Sequence, residues 1–333
     1  MRSAELIERF PGLKALVVGD VMIDTYTEGV VERMSPEAPV PIVNVKKRFA
    51  RLGGAANVAL NLKALGAKPI LCSVIGNDGN GELLLKLMHQ SGLDTDGFAL
   101  STTRMTTVKH RIFNGEQQVL RIDEEDTSDL TGEEHDDLLN VIKTAMSAER
   151  FDVVILQDYN KGVLTEKTIT ALLDLAQQQG VPVVVDPKKK NFFAYQGVTL
   201  FKPNAKELRE GLGVTAETPE ELQQAMAALQ RKIRCEYLMV TLSEKGVMML
   251  HDHAFHHLPA IPRNIVDVSG AGDTVLSVAA LCIASGKALP MAPETIAFLS
   301  NIAGGLVCES AGVVPIDKGR FQREIQRLCI GND

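Results

Sequence analysis

Residues 267–274, Asp267-Val-Ser-Gly-Ala-Gly-Asp-Thr274, are the stretch from which the fold can be argued. Two glycines flank Ala271, and an apolar pattern of helical spacing follows from Thr274. This pattern predicts a glycine-rich turn at the amino end of a helix. Such a turn directs free backbone N–H groups, and the positive end of the helix dipole, at an anion.

An acid follows the glycines directly, at Asp273. Beside a phosphate held by the turn, its carboxylate could take a proton from a hydroxyl that attacks the phosphate. The alternative is a capped helix in which Asp273 is an ordinary first-turn acid. The spacing alone does not decide between these two interpretations.

Outside this turn, segments typical of buried strands alternate with segments of helical periodicity. The predicted strands cover residues 13–19, 70–75, 153–156, 181–185, 199–201 and 237–242. The predicted helices cover residues 54–65, 81–91, 166–179 and parts of 205–234. Strands rich in β-branched residues that alternate with helices predict a parallel sheet covered on both faces.

Two regions break this alternation. Residues 25–45 contain Pro36, Pro39 and Pro41 among valines and isoleucines, and residues 106–122 alternate in polarity. Both regions predict strands outside the main sheet, which could form a small lid over the first half of the domain. A hairpin is expected late in the chain, at residues 246–259.

Composition limits the classes of function. The 333 residues are 45% hydrophobic and carry a net charge of −7, so a substantial core is expected and a nucleic-acid partner is not. The basic run at 188–190 is expected to be a solvated loop. No apolar run reaches the roughly 18 residues of a membrane span, and residues 1–14 lack the apolar core of a secretion signal.

Cysteine and histidine give no sign of a metal site. The five cysteines are scattered and lack C-x-x-C spacing, which argues against a disulfide framework and a zinc site and favours a reducing, cytoplasmic location. The four histidines at 251, 253, 256 and 257 have no third ligand type at metal spacing, so structural or solvent roles are expected for them.

The familiar nucleotide motifs are absent, but a second glycine cluster is present. Neither the P-loop pattern nor a strand followed by G-x-G-x-x-G occurs, which disfavours P-loop enzymes and dehydrogenases. Gly53-Gly54 would let the backbone approach a ligand closely, and Asn57 offers the donor and acceptor that a sugar hydroxyl needs. By itself this cluster is more typical of a plain loop-to-helix junction.

Taken together, four motifs resemble those of the ribokinase-like (PfkB) carbohydrate kinases, over residues 13–312. They are Gly19-Asp20 with Asp24, Gly53-Gly54 with Asn57, Asn204 with Glu207, and the stretch Asp267 to Asp273. The resemblance implies a three-layer α/β/α sandwich with a mostly parallel central sheet and a small β-sheet lid. It also implies one kinase domain over residues 1–333, with lid strands at about 25–45 and 106–122.

The resemblance implies roles for the matching residues. Asp273 matches the catalytic base. The backbone amides of Ala271, Gly272 and Asp273, in the turn that starts at Gly270, match the anion hole. The matching sugar-binding positions are Asp20, Asp24, Gly53, Gly54 and Asn57. The matching ATP positions are Asn204, Glu207, Thr241, Ser243, Gly246 and Asn301.

Metal ions follow from the same resemblance. Glu207 would organise Mg²⁺, directly or through water, although a lone Glu is by default a surface acid and Asn204 a helix N-cap. Asp267 and Ser269 match a loop that binds a monovalent cation such as K⁺ in some members. Ser269 stands where Thr is commoner, and Ser243 stands where Gly is commoner.

The substrate is suggested by the stretch Ser35-Pro-Glu-Ala-Pro-Val-Pro41. It resembles that of the D-glycero-β-D-manno-heptose 7-phosphate kinases of ADP-heptose synthesis for lipopolysaccharide, as do residues 121–123 and 157–162. The implied reaction phosphorylates the anomeric hydroxyl to give the 1,7-bisphosphate. The chain length fits the kinase alone, without the adenylyltransferase to which it is fused in some members.

A substrate that already bears a phosphate needs a cation, and Lys109, Arg111 and Lys161 are the candidates. Solvated lid charges are the equal alternative. The expected partners are ATP, a sugar phosphate and a second copy of the chain paired through the lid. The rival functions are a kinase for another sugar or sugar phosphate and a non-catalytic sugar- or nucleotide-binding regulator.

Overall fold

Thirteen strands and nine helices are found in the computed structural model, which describes residues 7–286 and 291–330. The strands are β1 (Lys14–Gly19), β2 (Val21–Met34), β3 (Pro41–Gly54), β4 (Lys68–Gly76), β5 (Phe98–Ser101), β6 (Val108–Asn114), β7 (Gln117–Glu124), β8 (Val153–Gln157), β9 (Val183–Asp186), β10 (Leu200–Phe201), β11 (Tyr237–Thr241), β12 (Val247–His251) and β13 (Ala254–Leu258). The helices are α1 (Ala55–Ala64), α2 (Gly79–Gln90), α3 (Gly132–Ala148), α4 (Glu166–Gln179), α5 (Ala205–Leu212), α6 (Pro219–Ile233), α7 (Ala271–Ser285), α8 (Pro293–Val307) and α9 (Lys318–Ile330).

The main sheet has nine strands in the order β13-β12-β11-β10-β9-β8-β1-β4-β5. Seven of them, from β11 to β5 in this order, run parallel, and β12 pairs antiparallel with both of its neighbours. The predicted mostly parallel sheet and the late hairpin are confirmed. Strand β1 pairs with β4 on one side and with β8 on the other, so the strand order reverses at β1. At such a reversal a crevice opens at the carboxyl ends of the strands, here β1 and β8.

The core has two layers, one on each face of the sheet. In β1, Ala15 and Val17 point to one face, and Leu16 and Val18 point to the other, as the period of two requires. The first face packs against α1, α2, α7, α8 and α9, and the second against α3, α4, α5 and α6. The expected three-layer sandwich is therefore confirmed.

A separate four-stranded sheet, in the order β3-β2-β6-β7, forms the lid. Its strands β2 and β6 are parallel, and the outer pairs are antiparallel. The strands run further than expected, because β2 starts at Val21 and β3 ends at Gly54. Only Asp20 separates β1 from β2, so the base of the lid lies at the carboxyl edge of the main sheet.

Two helices, α3 and α9, are missing from the sequence-based expectations. Helix α3 begins after Thr131, whose side chain forms a capping box with Glu134. This Thr-x-x-Glu spacing is typical of a helix start and was available in the sequence.

Candidate active site

The glycine-rich turn leads directly into α7, as the sequence predicts. Gly270 is the N-cap of the helix, with φ at 81°, in the left-handed region that favours glycine. A Cβ atom on Gly270 would lie 2.8 Å from Nδ2 of Asn57. Glycine is therefore required here both by the backbone conformation and by the close approach of α1.

The amides of the turn are not equivalent. The N–H of Ala271 donates to the carbonyl of Val268 at 3.2 Å. The N–H groups of Gly272 and Asp273 have no hydrogen-bond acceptor within residues 7–286 and 291–330. Of the three predicted anion-hole amides, these two are the ones free to bind an anion at the start of the helix.

Asp273 is buried in the first turn of α7, with 3% of its surface exposed. Its Oδ2 accepts a hydrogen bond from Nδ2 of Asn57, and its Oδ1 accepts one from the hydroxyl of Tyr159, both at 2.8 Å. Burial raises the pKa of Asp273 to about 6, against the lowering effect of these two bonds. A carboxylate whose pKa lies near neutrality is suited to act as a general base.

A second asparagine, which sequence reasoning missed, orients the first. Asn61 lies one turn after Asn57 on α1. Its Nδ2 donates to the backbone carbonyl of Asn57 at 2.9 Å and to the side-chain Oδ1 of Asn57 at 3.3 Å. The Oδ1 of Asn61 accepts from the hydroxyl of Thr274 and the N–H of Ile316. Since both asparagines are fully buried, this network keeps the Asn57 amide directed at Asp273.

The glycine pair at the end of β3 passes close to two acids. A Cβ atom on Gly53 would lie 2.4 Å from Oδ2 of Asp24, and one on Gly54 would lie 2.4 Å from the carbonyl oxygen of Asp20. Gly54 also has φ at 61° and is the N-cap of α1. The pair therefore does form the loop-to-helix junction, and its predicted contact with a sugar stays a prediction.

Asp20 holds a loop. Its Oδ2 accepts from the backbone N–H groups of Tyr159 (2.8 Å) and Lys161 (3.1 Å), and its Oδ1 accepts from that of Val163 (3.1 Å). Burial raises the pKa of this carboxyl, and the three N–H donors oppose that rise. Residues 158–163, called the tyrosine loop below, are thus tied to the end of β1.

The predicted phosphate-binding cations all have carboxylate partners. Nη1 of Arg111 donates to Oδ1 of Asp24, beneath the lid. Nζ of Lys161 lies 2.6 Å from Oε1 of Glu125, and Nζ of Lys109 lies 3.3 Å from Oε2 of the same side chain. The structure brings these cations to the lid side of the site, with their charges compensated.

A buried ion pair that sequence reasoning missed lies beside the glycine-rich turn. Nζ of Lys202 is 2.9 Å from Oδ2 of Asp186, and both side chains are buried. A Cβ atom on Gly272 would lie 3.8 Å from each of these two atoms. Asp186 and Lys202 follow neighbouring strands, so the convergence of parallel strand ends was the signal available for them.

Lys188 does not belong to a solvated loop, so that expectation is wrong for this residue. Its Nζ contacts Oε1 of Glu207 and lies 3.8 Å from Oδ1 of Asp186. The same ammonium lies 5.5 Å from the centroid of the Tyr159 ring. Burial lowers the pKa of Lys188, but the two carboxylates outweigh it and raise the pKa above its usual value. The other two lysines of the run are exposed, as expected.

Asn204 and Glu207 form a capping box at the start of α5. Oδ1 of Asn204 accepts from the N–H of Glu207 at 2.8 Å, and Oε2 of Glu207 accepts from the N–H of Asn204 at 2.9 Å. Asn204 is therefore a helix N-cap, and it also pairs with Thr241 in an isolated β-bridge. Through Lys188, this predicted nucleotide motif is connected to Asp186 and the glycine-rich turn.

The remaining predicted nucleotide residues form a second group, near the end of β13. A Cβ atom on Gly246 would lie 2.1 Å from the carbonyl oxygen of Leu258. Nδ2 of Asn301 donates to the carbonyl of Pro259 at 2.9 Å. Ser243, with φ at 54°, begins an exposed turn before Gly246.

Asp267 ties the turn to the loop before α9. Its carboxylate accepts from the backbone N–H groups of Ser269 and Gly312, both at 2.9 Å. Burial raises the pKa of Asp267, but these bonds outweigh it and bring the pKa below its usual value. The predicted monovalent-cation site at Asp267 and Ser269 stays a prediction.

Two features are absent from residues 7–286 and 291–330, the part of the chain that the structure describes. No group of three or more His, Cys, Asp or Glu side chains there could hold a metal ion. No helix in the same residues is long and apolar enough to cross a membrane.

The chain is similar to known proteins in sequence and in fold. A profile described as pfkB family carbohydrate kinase matches residues 13–318. Two relatives named "Bifunctional protein HldE" match most of the chain. That of Methylobacillus flagellatus is 42% identical over 93% of this chain and 63% of its own length. That of Pelobacter propionicus is 40% identical over 92% of this chain and 62% of its own length. This chain thus spans less than two thirds of the length of these curated relatives.

Solved structures show the same fold. Phosphofructokinase-2 from Escherichia coli, in complex with potassium, superposes with a TM-score of 0.76 at 18% identity, over 96% of this chain and 99% of its own. Ribokinase from Arabidopsis thaliana, complexed with ribose and ATP, gives 0.70 at 18% identity, again over 96% and 99%. At this identity the likeness concerns the fold alone.

Proposed function

Since the chain belongs to the pfkB family of carbohydrate kinases, we propose that it transfers the γ-phosphoryl group of ATP to the anomeric hydroxyl of D-glycero-β-D-manno-heptose 7-phosphate. The product would be the 1,7-bisphosphate, in ADP-heptose synthesis for the lipopolysaccharide core. One observation carries the chemistry: a buried carboxylate, Asp273, lies at a helix start beside two free amides. The stretch at residues 35–41 supports the choice of sugar.

The reaction needs a proton acceptor and a site for negative charge. Asp273 takes the proton of the attacking sugar hydroxyl. The oxygen of that hydroxyl forms a bond to the γ-phosphorus, while the bond between the γ-phosphorus and the leaving ADP oxygen breaks. The amides of Gly272 and Asp273 donate to the transferring phosphoryl group. The Lys202 ammonium, beside Gly272, adds positive charge at the same place.

ATP is proposed to lie along the edge from Asn204 and Thr241 to Gly246 and Asn301. Magnesium bound to the nucleotide would neutralise phosphate charge. Glu207 fits such an ion as a carboxylate near the phosphates, and water would carry the contact, because its two oxygens already accept from Asn204 and Lys188. Potassium at Asp267 and Ser269 belongs to the same proposal.

The sugar is proposed to lie between the lid and the main sheet. Asp24, Asn57 and the glycine pair face it, with Asp20 supporting the loop beneath. Arg111 and Lys161 would exchange their carboxylate partners for the 7-phosphate, and a guanidinium can bind two phosphate oxygens at once.

We also propose a cytoplasmic homodimer that pairs through the lid. Leu120 and Ile122 on β7 are 51% and 46% exposed, and they share one face of the lid sheet. Large apolar side chains grouped on one exposed face are typical of an interaction surface.

An assay of ADP release, with ATP, magnesium and each member of a panel of sugars, tests the function. We expect heptose 7-phosphate to give the highest kcat/KM, with fructose 6-phosphate, ribose and unphosphorylated heptose far behind. A better substrate elsewhere in the panel would replace the proposed sugar. Binding of ATP and sugar without turnover on any member would favour the non-catalytic regulator.

A further inference from the structure

Tyr159 is a buried phenol in contact with the proposed base, and neither the motifs nor the comparisons give it a role. Its hydroxyl donates to Oδ1 of Asp273 at 2.8 Å, across 114 positions of sequence. Burial, followed by the nearby charge of Asp273, raises the pKa of Tyr159 well above its usual value, so the phenol stays protonated and remains a donor.

The tyrosine and the carboxylate that it contacts are both held by neighbouring groups. Its backbone N–H donates to the Asp20 carboxylate, which binds two more amides of the tyrosine loop. The Lys188 ammonium lies 5.5 Å from the centroid of its ring. On the far side of the base, the Asn57–Asn61 network holds the other carboxylate oxygen. The phenol is thus fixed in position before any substrate arrives.

We infer that Tyr159 is a positioning residue that holds the Asp273 carboxylate in its orientation and in its proton-accepting form. This inference rests on the proposed role of Asp273 as the base. A hydrogen bond to a carboxylate stabilises the ionised form, so losing it makes the carboxylate harder to ionise. The bond therefore keeps the base usable near neutral pH.

Other groups around the base act in both directions. The nearby charge of Asp186 makes Asp273 harder to ionise, and that of Lys202 makes it easier. The charge of Lys188 also faces Asp273, and that of Asp24 faces the phenol. Replacing Tyr159 by Phe changes none of these charges. The variant isolates the effect of one hydroxyl.

The experiment compares Tyr159→Phe with Tyr195→Phe in the full chain. Tyr195 is a matched control, because its hydroxyl donates at 2.7 Å to Asp158, next to Tyr159 in sequence, and does not touch the base. In the Tyr159 variant we expect the acid limb of kcat/KM against pH to move up by about one unit, a tenfold change in proton binding. Activity should fall about fivefold near pH 6, approach a tenfold loss below about pH 5 and recover above about pH 8. The control should keep the wild-type limb.

A second measurement does not depend on turnover. The 13C resonance of the Asp273 carboxyl, assigned by its absence in Asp273→Asn, is titrated in the free protein. We expect its pKa to rise by about one unit in Tyr159→Phe and to stay unchanged in Tyr195→Phe. Site-specific 3-fluorotyrosine at position 159 is a stronger donor of nearly the same shape, so it should lower the pKa of the Asp273 carboxyl. This variant replaces Tyr159→Phe in the test if Tyr159→Phe does not fold.

The outcomes separate this inference from the proposed function. An unshifted titration in Tyr159→Phe, an activity loss equal at every pH, or an equal shift in Tyr195→Phe would each overturn the inference, even if Asp273→Asn abolishes turnover. Absence of turnover in the wild type with every sugar would instead reject the proposed function, and the carboxyl titration would still decide about Tyr159.

Discussion

The turn that carries Asp273 and the lid that carries Arg111 meet at one edge of the main sheet, but they hold their charged groups differently. Around Asp273 the partners are uncharged donors, Asn57 and Tyr159, and all three residues are held in packed surroundings. On the lid the partners are opposite charges, and every residue of β7 is exposed. Neutral donors fix a base in place, whereas ion pairs can exchange one anion for another.

The acids of the two regions show the same difference. Burial raises the pKa of Asp273 to about 6, whereas a hydrogen bond from Arg121 lowers the pKa of Asp123 on the lid to about 2. At neutral pH the lid acid is fully ionised, and Asp273 is about one pH unit above its midpoint. The molecule thus combines a proposed proton acceptor that titrates close to neutrality with a lid acid that stays ionised.

The largest effect should come from Asp273→Asn, which removes the base and keeps the shape. We expect kcat to fall by about 10²- to 10⁴-fold, the usual contribution of a general base. The dissociation constant of ATP, measured by calorimetry, should stay near that of the wild type. Turnover within a few-fold of the wild type would remove Asp273 from this role.

The same variant should be more stable than the wild type at neutral pH. The pKa of Asp273 is raised on folding, from 3.8 to about 6, so its ionisation opposes folding. The stabilising effect of the protonated form is complete below about pH 4 and is lost as the pH rises through 6. By linkage, Asp273→Asn should gain up to ~3 kcal/mol in free energy of unfolding at pH 8.

Denaturant unfolding at pH 5 and pH 8 measures this difference. The gain should be larger at pH 8 than at pH 5. An equal gain at both pH values would show that burial does not raise the pKa of this carboxyl.

Arg111→Lys tests the lid. The charge remains but the fork of donors is lost, so we expect KM for the sugar phosphate to rise about tenfold. The kcat and the KM for ATP should change little. Arg48→Lys, an exposed change on strand β3 of the same lid, is the control. An equal rise in KM for an unphosphorylated sugar would place Arg111 away from the phosphate.

The smallest effect on the protein itself should come from Ile122→Asp on the lid surface. We expect the mass in sedimentation velocity to fall from dimer to monomer, with the free energy of unfolding changed by less than ~0.5 kcal/mol. Val214→Asp, at an exposed valine outside the lid, should leave the mass unchanged. A dimer that survives Ile122→Asp would locate the contact elsewhere.

Local patterns made much of the fold predictable. Helix α4 has the bounds that its periodicity predicts, and Gly270 to Asp273 do begin a helix. The lid was recognised as strands outside the main sheet, although the bounds of its first segment were too narrow at both ends. Such features depend on neighbours in sequence, through periodicity, capping and glycine conformation, so the chain alone can reveal them.

Electrostatics and contacts across the sheet were less predictable. Lys188 belongs to a basic run that is typical of a solvated loop, yet Asp186 and Glu207 bring it into the site. Asp20 matched a sugar-binding motif, yet its carboxylate binds backbone amides. Neither outcome can be derived from nearby residues alone, because Glu207 lies on α5 and the amides that Asp20 binds lie in the tyrosine loop.

The sequence by itself determined that a glycine-rich turn would lead into a helix with Asp273 in its first turn, within a parallel α/β sheet with a lid. Only the tertiary structure decided which groups surround that acid. The ends of β1, β8, β9 and β10 converge and bring Asp20, Tyr159, Asp186 and Lys202 to one place, although they are far apart in the chain. The burial that follows from this convergence is what raises the pKa of Asp273.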